Sequence, residues 1–421
     1  MYTGPSSTQP APHGKTRAPA ARAWSRWAAR GRRPRPPSSD QGVEELVKAV
    51  IMAGGRGTRL APLTSARPKP MVPVLNRPVL EHLIRLLARH GVTEAVLTTH
   101  YLTAQIEEAL GSGEQWGVAL RYAVETSPLG TAGSVRQVLG ELSGTFLVLS
   151  GDALTDISLS AAVRWHREHA ALCTLVVTEV EDPSPYGIVE AREDGRIVRF
   201  LEKPRRDQIF SRTVNTGIYV MEPGALEECP PGVPFDFSRD LFPRLLQKGA
   251  ALYAFRARGY WSDIGDCGQY LRAQIDALHR RVRLSGLPRE LAAGVWVEDG
   301  AFVHPLAVVQ PPALIGAGCR VEAGARVGPE AVLGRGCRVR GGAVVEGAVL
   351  WEESEVGEAA VVMGATVGRG CRLGARARVM EGAVLGDWAR VPDGGVVKRG
   401  ERLPAAAPAP GLERSRAAQA R

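Results

Sequence analysis

From Val303 onward an apolar side chain returns every sixth residue. Val303, Val309, Ile315, Val321, Val327, Leu333, Val339 and Val345 keep this spacing, and it resumes at Val367, Leu373, Val379, Leu385, Val391 and Val397. Glycine follows several of them, as in Ile315-Gly316 and Val367-Gly368. Hexapeptide spacing predicts a left-handed parallel β-helix, in which six residues build one side of a triangular coil and the apolar residue points inward. The register slips near Trp351 to Val361, which predicts a loop or a distorted coil there. The repeat also accounts for Cys319, Cys337 and Cys371, which lie two residues before an inward position. Ala325, Ala331, Ala343, Ala377, Ala383 and Ala389 fill the same slot elsewhere. A free cysteine packs like a small apolar residue, so the slot is preferred over a zinc cluster as the reading of these thiols.

The β-helix leaves most of the 421 residues to other domains, and the length suits two or three. An apolar content of 44% and a charged content of 23% describe an ordinary globular protein. No apolar run reaches the length of a membrane span. The net charge of +9 would point to nucleic acid if it were spread over a fold. Instead Lys15, Arg17, Arg22, Arg26, Arg30, Arg32, Arg33 and Arg35 carry most of it, with no acid before Asp40. Residues 1–42, rich in Pro, Ala, Arg and Ser, are expected to form a disordered and dispensable basic extension. A basic arm for an anionic surface and an organelle transit peptide are the functional alternatives. Residues 401–421 are expected to be an unstructured tail. The remaining cysteines are Cys173, Cys229 and Cys267; no C-x-x-C pair and no secretory signal occurs, which suits a reducing cytoplasm.

Between 43 and 282 strands and helices alternate, as in a mainly parallel, Rossmann-like α/β sheet. A linker over 283–290 would join this domain to the β-helix of 291–400. The first strand, Ala49 to Met52, runs into Gly54-Gly55-Arg56-Gly57-Thr58-Arg59. Glycines let the backbone approach a ligand, and turned N–H groups favour an anion. Arg59 and Lys69 add cations, giving a receptacle for a polyphosphate. No Gly-Lys-Ser/Thr follows, so this is not a Walker loop, and Leu60 stands where a dinucleotide fingerprint needs its third glycine. Phe146 to Ser150 reads as a central strand, and Asp152 leaves its ligand-side end. A lone Asp after a strand is usually a turn residue, but this position favours metal binding. Asp263 follows a later strand in a similar way.

The motifs GGRGTRLAPLT, PKP, PLGTAGSV, SGDALTD, YGIV, FLEKP, VNTGIYV, PFDFSRDLFP and GYWSDIG occur in this order. Residues 47 to 278 therefore resemble the catalytic domain of sugar-1-phosphate nucleotidyltransferases, and PFDFSRDLFP with RPVLEHLI resembles the mannose-1-phosphate guanylyltransferase branch. The resemblance implies that a nucleoside triphosphate and a sugar 1-phosphate give an NDP-sugar and pyrophosphate, with GTP, mannose 1-phosphate and GDP-mannose as the expected set. Uridylyl, thymidylyl or adenylyl transfer to glucose 1-phosphate is the alternative. It further implies that Gly54, Gly55, Gly57, Thr58, Arg59 and Lys69 hold nucleotide phosphates, with Gly130 against base or ribose. Asp152 and Asp263 would bind one Mg²⁺. Gly187, Glu202, Lys203 and Asn215 would hold the sugar phosphate. Arg59, Lys69 and Lys203 would offset charge in the reaction. A phosphate dianion is already nucleophilic, so His82, His100, His166 and His169 are expected at helix or surface positions without a role. β-Helix acyltransferases usually need a histidine base, and His304 is the lone histidine of the repeats. The β-helix is thus read as an oligomerisation or regulatory module of a homo-oligomer. A silent regulatory subunit is disfavoured, because every charged motif position is present.

Overall fold

The computed structural model describes Met1 and residues 47–408. The extension expected over 1–42 and the end of the tail lie outside the described residues. No helix among the described residues is long and apolar enough to cross a membrane.

The first half is built on one nine-stranded sheet. Its strands are β1 (Lys48–Met52), β2 (Glu94–Thr99), β3 (Ala119–Val124) and β4 (Phe146–Ser150), then β6 (Cys173–Glu179), β7 (Gly187–Ala191), β8 (Ile197–Glu202), β9 (Thr213–Met221) and β10 (Leu252–Arg256). A separate two-stranded ribbon pairs β5 (Ala153–Thr155) with β11 (Trp261–Asp263). The helices are α1 (Val79–Arg89), α2 (Thr103–Leu110), α3 (Gly130–Gln137), α4 (Leu159–Glu168), α5 (Phe242–Gln247) and α6 (Cys267–Leu278). β1 and β4 are continuous apolar runs because helices cover both faces of the sheet.

The sheet runs β8-β7-β9-β4-β1-β2-β3, with β6 beside β9 and β10 beside β6. Strands β4, β1, β2 and β3 are parallel, as the alternation of strand and helix predicts. β9 then enters antiparallel to β4. This reversal matters for the site, since the start of β9 lies where β4 ends. A Cβ on Gly217 would stand 3.0 Å from the Cβ of Ser150. The carboxyl ends of β1, β2 and β4 and the amino end of β9 thus face one region.

The second half is a three-sided β-helix of parallel strands. Its inward residues are those of the hexapeptide series, and they form one core from Val303 to Val397. Cys319, Cys337 and Cys371 are fully buried in that core, and their thiols donate to carbonyls of neighbouring coils, as from Cys371 Sγ to Gly386 O at 3.2 Å. All six cysteines are free. The strand Arg402–Leu403 belongs to the last coil, so the repeats run past residue 400.

Of the two expectations for Trp351 to Val361, a loop or a distorted coil, the structure shows the second, as shortened coils. Ala331 pairs with Ala313, eighteen residues back, but Val349 pairs with Val332 and Thr366 with Val349, each seventeen apart. Two successive coils are each one residue short. Leu350, Val356 and Val362 keep pointing inward. Trp351, Val349, Val332, Leu314 and Trp296 of the β-helix form a cluster with Leu60, Leu63, Val72, Val74, Leu75, Ile264 and Tyr270 of the first half. The two halves form one compact unit.

Candidate active site

The Gly54-Gly55 turn leaves β1 with Ala53 N–H donating to Thr98 O at 2.8 Å. Gly57 has φ 66°, and a Cβ there would stand 2.7 Å from the Cβ of Lys69. Only glycine permits both, so Gly57 lets the turn Lys69–Met71 lie against the opening loop. Thr64 Oγ1 fastens the crossing by donating to Gly57 O at 2.8 Å.

Lys69 is buried, and its ammonium pairs with the Asp152 carboxylate and lies 3.6 Å from Asp263 Oδ1. The acids meet because the β5/β11 ribbon sets Asp263 beside Ala153, and Ile264 N–H donates to Asp152 O at 3.2 Å. Burial opposes ionisation of Asp152. Even so, Lys69 and a 2.5 Å hydrogen bond from Ser150 Oγ hold its carboxyl below the usual range. Asp263 is shifted the other way, first by burial and then by the charge of Asp152. Burial also works against the Lys69 ammonium, yet the two carboxylates raise its pKa.

Two adjoining cavities open on this cluster and share Ser150 and Asp152. The first, about 330 Å³, is lined by Gly54, Gly55, Lys69, His100, Glu125 and Gly130 among others. The second, about 190 Å³, is lined by Arg59, Gly187, Glu202, Lys203, Asn215 and Asp263, with Tyr186 and Trp261. The structure therefore gathers nearly all the residues singled out in the sequence, in two groups with Asp152 at the boundary. Arg59 falls in the second group rather than beside the glycine turn. Gly57 and Thr58 line neither cavity; Gly57 supports Lys69 instead, and Thr58 is exposed in the turn Thr58–Leu60.

Each wall has a local cause. Gly130, at φ 71°, passes so close to Phe235 that a Cβ would stand 2.6 Å from its carbonyl oxygen. Gly187 leaves no room for a Cβ beside the Glu202 carboxylate, 2.7 Å away. Burial raises the Glu202 carboxyl, and Lys203 partly offsets the shift. Asn215 spans β9, donating to Tyr219 Oη at 2.9 Å and accepting from Gly217 N–H at 3.0 Å.

Several lining residues escaped the motif reading. Glu125 is buried, and its Oε2 accepts from Leu129 N–H at 3.0 Å. Burial pushes its carboxyl up. His100 lines the same cavity and donates from Nδ1 to Glu125 O at 3.0 Å, so it stands at the site rather than on a helix or the open surface. Asp236 accepts from Thr131 Oγ1 at 2.8 Å and from Ser238 N–H at 2.9 Å. Their sequence signals were adjacency to PLGTAG and a place within PFDFSRDLFP. His82 and His166 are buried and structural, bonded to Val74 O and to Thr174 and Glu222.

The sequence profile described as "Nucleotidyl transferase" matches residues 48–280, the whole sheet that carries both cavities. This chain belongs to the nucleotidyl transferase family. A second profile, "GMPPB C-terminal domain", matches residues 309–407 of the β-helix. The nucleotidyltransferase is 34% identical over 342 residues to a UTP–glucose-1-phosphate uridylyltransferase of Synechocystis sp., covering 77% of this chain and 88% of that protein. It is 36% identical to a mannose-1-phosphate guanylyltransferase of Mycobacterium tuberculosis, with 67% and 78% covered. It is 35% identical to the mannose-1-phosphate guanylyltransferase catalytic subunit beta of Drosophila melanogaster, with 81% and 90% covered. A solved putative glucose-1-phosphate thymidylyltransferase from Bacillus anthracis shares the fold, with a TM-score of 0.51, 24% identity, and 56% and 96% covered.

Proposed function

We propose that this nucleotidyltransferase makes GDP-mannose and pyrophosphate from GTP and mannose 1-phosphate. The observation that carries the base is Glu125. Glu125 lines the first cavity, where its carboxylate can only accept, and guanine presents two adjacent donors, N1–H and N2–H. Uracil and thymine present one N–H between two carbonyls, which a carboxylate repels. The guanylyltransferases among the relatives support the same assignment, for base and sugar together.

In this reading the triphosphate lies along Gly54, Gly55 and Lys69, and the sugar phosphate lies by Gly187, Glu202, Lys203 and Asn215. A phosphate oxygen of the sugar attacks the α-phosphorus, and the bond to the pyrophosphate breaks in line. Arg59 and Lys203 reduce repulsion between the two anions, and Lys69 faces the charge that grows on the leaving group. No group of three or more metal-binding side chains occurs among the described residues. The pair Asp152 and Asp263 nevertheless fits Mg²⁺, which takes one or two carboxylates with phosphate oxygens completing its shell. Burial first, and the charge of Asp152 second, raise the Asp263 carboxyl, and a cation at the pair would relieve both effects. What Mg²⁺ supplies when bound is neutralisation of phosphate charge.

The test is pyrophosphate release from five nucleoside triphosphates with mannose 1-phosphate or glucose 1-phosphate, for the wild type and Glu125→Gln. GTP with mannose 1-phosphate should be the best pair. Glu125→Gln should lower kcat/KM for GTP by roughly 10–100-fold and for UTP far less. A wild-type preference for UTP with glucose 1-phosphate would favour the activity of the Synechocystis relative instead.

A further inference from the structure

Lys69 lies on a loop whose other side faces the β-helix. Two residues before it, Arg67 stacks its guanidinium 4.5 Å from the centre of the Trp351 ring and forms an ion pair with Glu352. Four residues after it, Pro73 O accepts from Tyr270 Oη and from Gln274 Nε2, each at 2.6 Å. Trp351 Nε1 donates to the same Tyr270 hydroxyl at 2.8 Å. Gln274 Oε1 accepts from Leu75 N–H at 3.0 Å, and Asn76 Nδ2 donates to Leu333 O at 2.9 Å. Trp351 and Glu352 thus meet the loop directly before Lys69 and reach it through Tyr270 after Lys69. Their coil is one of the two shortened ones, and both residues follow its inward Leu350.

We propose that the Trp351–Glu352 coil is a positioning element for the reaction, holding Lys69 in place through Arg67 on one side and the Tyr270–Pro73 contact on the other. The argument is mechanical. A loop without a strand partner has many conformations near in energy, and fixing each residue costs about 1–2 kcal/mol. The fully buried Trp351 and the ion pair that caps it are rigid enough to select one of them. A small displacement of a charged group from the reacting phosphates is costly in rate. Arg67, Trp351 and Glu352 line neither cavity, so any effect they have on the reaction is indirect.

This inference rests on Lys69 acting in the reaction, and a double-mutant cycle separates the two. Arg67→Met, Trp351→Phe and Glu352→Gln are made in the wild type and in Lys69→Ala, with melting curves to confirm folding. In the wild type each should lower kcat by about 5–20-fold with KM for the sugar phosphate within about twofold. Arg67→Lys should recover part of the loss, because an ammonium keeps the pair with Glu352. In Lys69→Ala the same changes should cost less than about twofold, since nothing is left to position. A generally structural role would instead multiply in full with Lys69→Ala, and that result overturns the proposal while leaving the role of Lys69 intact. Normal turnover by Lys69→Ala alone would remove both.

Discussion

Lys69 lies where two acids call for a cation. Its ammonium reaches both Asp152 and Asp263, so it neutralises the pair that is proposed to take Mg²⁺. Metal and lysine should therefore compete until a nucleotide draws the lysine to its phosphates. Lys69→Met is expected to tighten Mn²⁺ binding without nucleotide by roughly tenfold, read by electron paramagnetic resonance, because a charge within 4 Å is lost. Lys203→Met, a loss of equal charge in the second cavity, should leave it nearly unchanged. Asp152→Ala and Asp263→Ala should each lower kcat by roughly 10²–10³, and the double substitution little more, as for residues acting together. Losses that multiply would argue against a shared ion. Lys69 and the acids were legible because each stands in a motif of distinctive residues. Glu125 was legible only by its adjacency to PLGTAG: what places it in the site is its buried carboxylate meeting Leu129 N–H beside the wall that Gly130 forms against Phe235.

At the level of elements, the β-helix was legible almost coil by coil, because each inward site accepts only a small or branched apolar side chain. The shortened coils were not, since a step of five among steps of six looks like loss of pattern until strand pairing is known. Val327 is one of the inward residues and fully buried. Val327→Lys should destabilise the β-helix by about 3–5 kcal/mol in denaturant titration, as an unpaired charge in an apolar core does. Asp387, in the neighbouring turn, tests the docked face by pH. Burial pushes its carboxyl up to about 6, with Arg67 restraining the shift and Glu352 adding to it. Its folded pKa is above the unfolded one. Its stabilising contribution is thus complete only below the ordinary aspartate value of 3.8 and is lost as pH rises through about 6. Asp387→Asn should keep the hydrogen bond from Arg369 N–H. It should raise stability at pH 8 by about 2–3 kcal/mol, and hardly at all well below pH 3.8.

For the molecule as a whole, the two domains were legible but their contact was not, because no local pattern announces a partner about three hundred residues away. Residues Leu60, Leu63, Val72, Leu75 and Tyr270 of the sheet domain are buried together with the β-helix face. A chain ending at residue 290 should expose this cluster, aggregate on concentration, and turn over more slowly than the full chain. Light scattering and pyrophosphate release on the two chains would check this. The contact also has a direction in time. A chain leaves the ribosome from its amino end, and early domains fold first. Arg67 must wait for Glu352, 285 residues later, and Ala61 O receives Arg402 only after 341. The glycine loop and the lysine are made near the beginning, yet their supports are among the last parts synthesised. On the proposal above, a ribosome-bound chain ending before Trp351 would carry every group proposed for the chemistry and still be a poor catalyst. If the Trp351–Glu352 coil positions Lys69 as proposed, activity reports that the chain has been made at least as far as Glu352.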